Sequence, residues 1–211
     1  MQEIKETTAY KKALKGRILK AAMKAFTERG VKAVKMDDVA QMLGISKRTL
    51  YEIYKDKEEL LYQGVVQADQ DYKKSMSIFV NGASSVMDVI IESYQRRVVR
   101  KGSVNPLFYD DIQKYPTVVE YLNNESKHAY RQLLDFMQRG VNEGYFRNDV
   151  DYKLVVQLSY AINNYIMTQH LLSQFNIQQV FANMILVPLR GICTEKGIKA
   201  IENSALMGKN K

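Results

Sequence analysis

Apolar residues recur at spacings of three and four along most of this chain, and the strict alternation that marks a half-buried strand is scarce. The pattern predicts helix throughout. A first helix is expected from about Leu14 to Arg29, with Leu14, Ile18, Ala22, Ala25 and Phe26 on one face, lysines on the other, and Gly30 as the stop. Two short helices follow, about Asp37 to Leu43 and Lys47 to Tyr54, separated by Gly44; Ser46 stands where its hydroxyl can cap the second. Asp56, followed by Glu58 and Glu59 in a positively polarised first turn, opens a longer helix to about Val80. Ser85 and Asp88 have capping-box spacing before Val89, Ile90 and Tyr94, and the helix that starts there ends near Gly102. Asn105 and Pro106 open a short helix, and Pro116 a long one to about Asn142, ended by Gly144. Asp151 and Asn176 are the predicted caps of two last helices, 151–173 and 177–196, which are apolar on more than one face; Pro188 should kink or split the second. The expectation is an all-α chain of about nine helices with no internal repeat.

The stretch from Met36 to Leu61, MDDVAQMLGISKRTLYEIYKDKEELL, carries the most specific pattern. Val39, Ala40, Leu43, Ile45 and Leu50 make a small core that locks two helices at a steep angle; Ala40 allows close approach and Gly44 can take positive φ. Ser46, Lys47, Arg48, Thr49 and Tyr51 then face outward at the front of the second helix, the end that enters a major groove in a helix-turn-helix. Lys47 and Arg48 can donate to guanine edges or phosphates, Thr49 can meet a thymine methyl or a phosphate, and Tyr51 and Lys57 can anchor the backbone. Lys35, Met36 and Tyr54 complete the candidate DNA-binding set. Without this register the same side chains would suit an ordinary solvated helix face.

Charge changes the balance. Residues 1–57 hold 14 Lys and Arg against 7 Asp and Glu, whereas residues 58–211 hold 17 against 16, so nearly all of the net +8 lies at one end. A basic head on a neutral body suits a polyanion such as double-stranded DNA. Composition is globular, with 46% hydrophobic and 26% charged residues. No apolar run approaches the roughly 20 residues of a membrane span, and the first residues lack the apolar core of a signal peptide, so a cytoplasmic protein is expected, with no membrane partner. One cysteine, Cys193, and two distant histidines, His128 and His170, offer no metal spacing, no cofactor motif and no nucleophile beside a base. No catalytic residue is assigned, and Cys193 reads as a small buried hydrophobe.

At the same residues the chain resembles the TetR family of regulators. The matches are Val39-Ala40, Gly44-Ile45-Ser46, Leu50-Tyr51, Tyr54 and Lys57-Glu58-Glu59-Leu60, with Arg17 to Gly30 similar to the family's first helix. Two positions depart from the pattern. Lys35 stands where a capping threonine is usual, leaving Asp37 or the backbone to satisfy that helix start, and Ile53 stands where His or Tyr is common. The resemblance implies a three-helix DNA-binding domain over 1–57 and a ligand-sensing and dimerisation domain over 58–211, connected by the helix at 56–80. It also implies a homodimer through the last two helices, a palindromic operator, and repression relieved by a small-molecule inducer. Dimerisation has a physical rationale, because two heads about 34 Å apart read half-sites one DNA turn apart. Tyr94, Phe108, Tyr109, Tyr130, Met137, Tyr160 and Met167 either line a ligand cavity or fill the core, and Asn163 and Asn164 need partners if buried. The competing expectation is a helical ligand-binding or scaffold protein with a vestigial DNA-binding head.

Overall fold

A computed structural model describes residues 2–102 and 104–204. In these residues the chain forms α1 (Gln2–Arg29), α2 (Met36–Leu43), α3 (Lys47–Tyr51), α4 (Lys57–Gly82), α5 (Val86–Gly102), α6 (Pro106–Ile112), α7 (Pro116–Asn142), α8 (Tyr152–Thr168), α9 (Leu171–Gln174), α10 (Ile177–Ile192) and α11 (Glu195–Glu202). The fold is all-α, and the one extended pairing among the described residues is an isolated bridge between Phe146 and Cys193. No helix is long and apolar enough to cross a membrane among the described residues.

The chain divides into two compact units, Met1–Asp71 with Val104–Tyr121, and Tyr72–Ser103 with Leu122–Lys211. The first has a core of Leu14, Ile18, Ala22, Ala25 and Phe26 from α1, Val39 and Ala40 from α2, Leu50 from α3, and Leu60 and Leu61 from α4, all buried. Phe108 and Ile112 of α6 join this core. Polar contacts fix α6 against the end of α1: the Asn105 amide N–H donates to the Thr27 carbonyl at 2.7 Å, and Asp111 accepts from the Lys32 N–H at 2.7 Å and the Lys114 ammonium at 2.9 Å. Burial alone would raise the Asp111 carboxyl, but these two donors outweigh it and hold the group below the usual carboxylate range.

The second unit is built around Val86, Met87, Phe146, Leu189, Ile192, Cys193 and Ile201. Ser85 caps α5, accepting from the Asp88 N–H at 3.2 Å, and the Val86 N–H donates to Glu143 at 2.8 Å, tying the start of α5 to the end of α7. Gly140 in α7 lies against the Phe146 ring, where any Cβ would overlap it. Cys193 is buried here, and burial pushes its thiol up to about 11, which removes thiolate chemistry at neutral pH.

Four boundaries differ from those the sequence predicts. Helix α1 starts twelve residues before Leu14, because good helix formers extend it where no apolar stripe exists to reveal it. Helix α3 ends at Tyr51, although the Ile53 and Tyr54 amides still bond to Leu50. The predicted 151–173 helix breaks at Gln169 and His170, the latter with φ +55°, giving α8 and α9. The predicted 177–196 helix stops at Ile192 although Pro188 lies within it, and Thr194 caps a new helix by accepting from the Gly197 N–H at 3.3 Å.

Candidate nucleic-acid interface

The site begins with two helix starts. Helix α2 has Lys35 at its cap, a side chain with no acceptor; instead the Lys35 N–H donates to Asp38 at 2.8 Å, while the Lys35 carbonyl accepts from the Asp38 and Val39 amides. The helix start is therefore satisfied by Asp38 and the backbone, and Asp37 is left for another contact. At α3 the expected cap is present, with the Ser46 hydroxyl accepting from the Thr49 N–H at 3.0 Å. Between the two helices Gly44 has φ +63°, and its N–H and that of Ile45 turn back to the Gln41 and Ala40 carbonyls at 3.1 Å each.

This turn buries Leu50 and leaves Ser46, Lys47, Arg48 and Tyr51 exposed, with Thr49 half-buried. The Arg48 side chain is 89% exposed, against 67% for Lys47. Each cation has an internal anion. Lys47 pairs with Asp37 of α2, and Arg48 pairs with Glu52 at 2.9 Å. The Asp37 carboxylate raises the Lys47 ammonium above its ordinary value, through the hydrogen bond first and charge attraction second. Asp37 and Glu52 were not among the predicted site residues, although the four-residue spacing of Arg48 and Glu52 was a readable signal.

Three of the predicted DNA-contacting side chains point elsewhere. Met36 is 7% exposed and Tyr54 fully buried. The Tyr54 hydroxyl donates to the Lys15 carbonyl at 3.3 Å, and burial pushes its phenol up to about 12. The Lys57 ammonium donates to the Val31 and Val34 carbonyls at 3.1 Å each, and burial lowers it from its ordinary value. These groups brace the head from within: an aromatic ring and a long aliphatic stem gain more by filling the junction of α1, α3 and α4 than by remaining in solvent. Lys35 is exposed.

The candidate ligand residues are dispersed. Phe108 and Tyr109 belong to the first unit, with their rings edge-on at 5.6 Å. The others belong to the second. Tyr94 and Met137 pack against its core, the Tyr160 hydroxyl donates to the Ser126 carbonyl at 2.8 Å, and Tyr130 is half-buried. Met167 is half-buried, while Asn163 and Asn164 are exposed on α8 and need no buried partner.

A family profile described as "Bacterial regulatory proteins, tetR family" matches residues 18–63, the segment that contains the C-terminal part of α1, all of α2 and α3, and the start of α4. The chain belongs to the TetR family. Its relatives include the HTH-type transcriptional repressor KstR2 of Mycobacterium tuberculosis, 26% identical over 67% of this chain and 73% of that protein. They also include an HTH-type transcriptional regulator of Staphylococcus aureus, 32% identical over 57% and 63%. Among solved structures, a transcriptional regulator from Saccharomonospora viridis in complex with choline superposes with a TM-score of 0.69 at 16% identity, covering 87% of this chain and 99% of that one, a likeness of fold. The protein is thus a TetR-family transcriptional regulator, and α2 and α3 are its helix-turn-helix.

Proposed function

We propose that this TetR-family protein is a ligand-responsive repressor that binds a palindromic operator as a homodimer and is released by a small-molecule inducer. The observation that carries the reading is the exposed front of α3, where Lys47, Arg48 and Tyr51 project from a helix start rigidly capped by Ser46. Arg48 is the proposed base reader; Ser46, Thr49, Tyr51 and Lys35 are the proposed backbone contacts, and Tyr54 and Lys57 support them from inside the head.

The homodimer is supported by a second surface. Leu154, Leu158, Ile162 and Tyr165 stand 42–60% exposed at helical spacing along α8, and Val187 of α10 is 62% exposed. Such a stripe on the last long helices is what a second copy would cover. Residues 1–57 are the proposed reading domain and residues 58–211 the proposed sensing and dimerising domain, with α4 as connector. An inducer that binds better to the arrangement with mis-spaced heads shifts the population off DNA by its differential affinity. Tyr94, Tyr130, Met137, Tyr160 and Met167 remain the proposed pocket residues, with Asn163 and Asn164 as outer candidates.

Footprinting of purified protein on genomic DNA tests the reading. A protected site with two-fold symmetry, lost when the inducer is added, is expected. Absence of protection anywhere overturns the DNA-binding role, and protection that no small molecule relieves overturns the sensing role.

A further inference from the structure

Helix α1 continues beyond the core of the head. Its inward face is Leu14, Ile18, Ala22 and Ala25, all buried, and one turn before Leu14 that face carries Lys11. Lys11, Lys12 and Lys15 are all exposed, and their spacing sets them along one side of the helix. Between residues 9 and 20 the chain holds Lys11, Lys12, Lys15, Arg17 and Lys20 and no acidic residue. Among the described residues none of the three lysines is paired with a carboxylate, in contrast to Lys47 and Arg48.

Where this side of α1 leads is fixed by Tyr54. The Lys15 ammonium lies 5.5 Å from the centre of the Tyr54 ring, and the Tyr54 hydroxyl bonds to the Lys15 carbonyl. The Tyr54 N–H in turn bonds to the Leu50 carbonyl of α3 at 3.0 Å. The lysine stripe therefore adjoins the far end of the reading helix, within the same compact unit. From Lys15 to Lys11 it advances about 6 Å along the axis, at 1.5 Å per residue.

We infer that Lys11, Lys12 and Lys15 form a second contact strip, which grips the phosphate backbone of duplex DNA beside the half-site read by α3. The inference rests on the reading of α3 as the DNA-contacting helix and adds a flanking contact to it. Charge complementarity and continuity with the reading surface select the partner: three unpaired ammonium groups meet a polymer with one negative charge per ~1.7 Å of axis. Such contacts carry no sequence information and raise affinity on every sequence alike.

The test compares two full-length triple variants that lose the same charge. Lys11→Gln/Lys12→Gln/Lys15→Gln clears the stripe, whereas Arg17→Gln/Lys20→Gln/Lys24→Gln clears the opposite side of α1, which is also exposed. The probe is the genomic duplex recovered by footprinting, used with its flanks and trimmed to the half-sites. On the flanked duplex the first variant should flatten the slope of log affinity against log salt by about 0.9 per lysine and per head, with base preference unchanged. The loss should be at least roughly tenfold at moderate salt, and it should vanish on the trimmed duplex. An unchanged slope, or an equal change in the opposite-side variant, overturns the strip. Failure of the α3 reading registers separately, as wild-type binding without sequence preference, while the slopes still report whether the lysines touch DNA. Thermal melts of both variants should match wild type, since all six side chains are exposed.

Discussion

The front of α3 and the outer side of α8 are both exposed, yet they are built from opposite chemistry. On α3 the exposed groups are polar and cationic, and Asp37 and Glu52 neutralise Lys47 and Arg48 while the surface is free. On α8 they are Leu154, Leu158, Ile162 and Tyr165, which have no comparable resting state in water. Covering apolar area stabilises by about 25 cal/mol per Å², with little dependence on salt, whereas a cationic surface exchanges its partner as ionic strength changes. The contrast fits the proposed roles, a lasting partner at α8 and an interchangeable one at α3. That is the division a dimeric repressor needs, because its subunits must remain together while its DNA is released.

The comparison breaks most strongly at α8. Leu158→Glu puts a charge in the centre of the proposed subunit contact while leaving the monomer fold alone; dimer affinity should fall by about 3 kcal/mol or more, since an unpaired charge would be buried there. Sedimentation at micromolar concentration should show monomers, and operator affinity should fall with the dimer. At α3, Arg48→Ala should weaken operator binding by about 1–3 kcal/mol and leave sedimentation unchanged. Equal loss on every DNA sequence would make Arg48 a phosphate contact instead of a base reader.

Two smaller effects sharpen the contrast. His170 holds a left-handed backbone at the end of the α8 surface, and His170→Gly should raise stability by up to about 1 kcal/mol in a denaturant titration, because only glycine takes that conformation without strain. Asp37→Asn removes the internal partner of Lys47; it should tighten binding to non-specific duplex a few-fold, as an exposed ion pair is a weak competitor for phosphate. Weaker binding instead would mean that Asp37 positions Lys47 for the groove and does not restrain it.

Legibility in the sequence followed the range of the forces involved. The head was readable because its signals are local: the stripe from Leu14 to Phe26, the turn at Gly44, and the Ser46 cap all lie within a few residues of their effects. Long-range contacts were not readable. Nothing near Tyr54 or Lys57 announces that one meets the Lys15 carbonyl and the other the carbonyls of Val31 and Val34, so both looked available to DNA. The break at His170 was hidden for a related reason, since neither glycine nor proline marks it. The start of α11 was missed: Thr194 ahead of Glu195 is a cap signal, but the apolar run of α10 carried the predicted helix past it. Pocket residues were the least legible of all, because tyrosine and methionine at helical spacing serve cores and cavities equally.

The most direct test is selection of duplexes from a randomised double-stranded pool by the intact, effector-free protein at low ionic strength. The account predicts enrichment of paired half-sites with centres about 34 Å apart, and loss of that enrichment with Arg48→Ala. Recovery of a pool no different from the input would contradict the claim that α3 reads DNA.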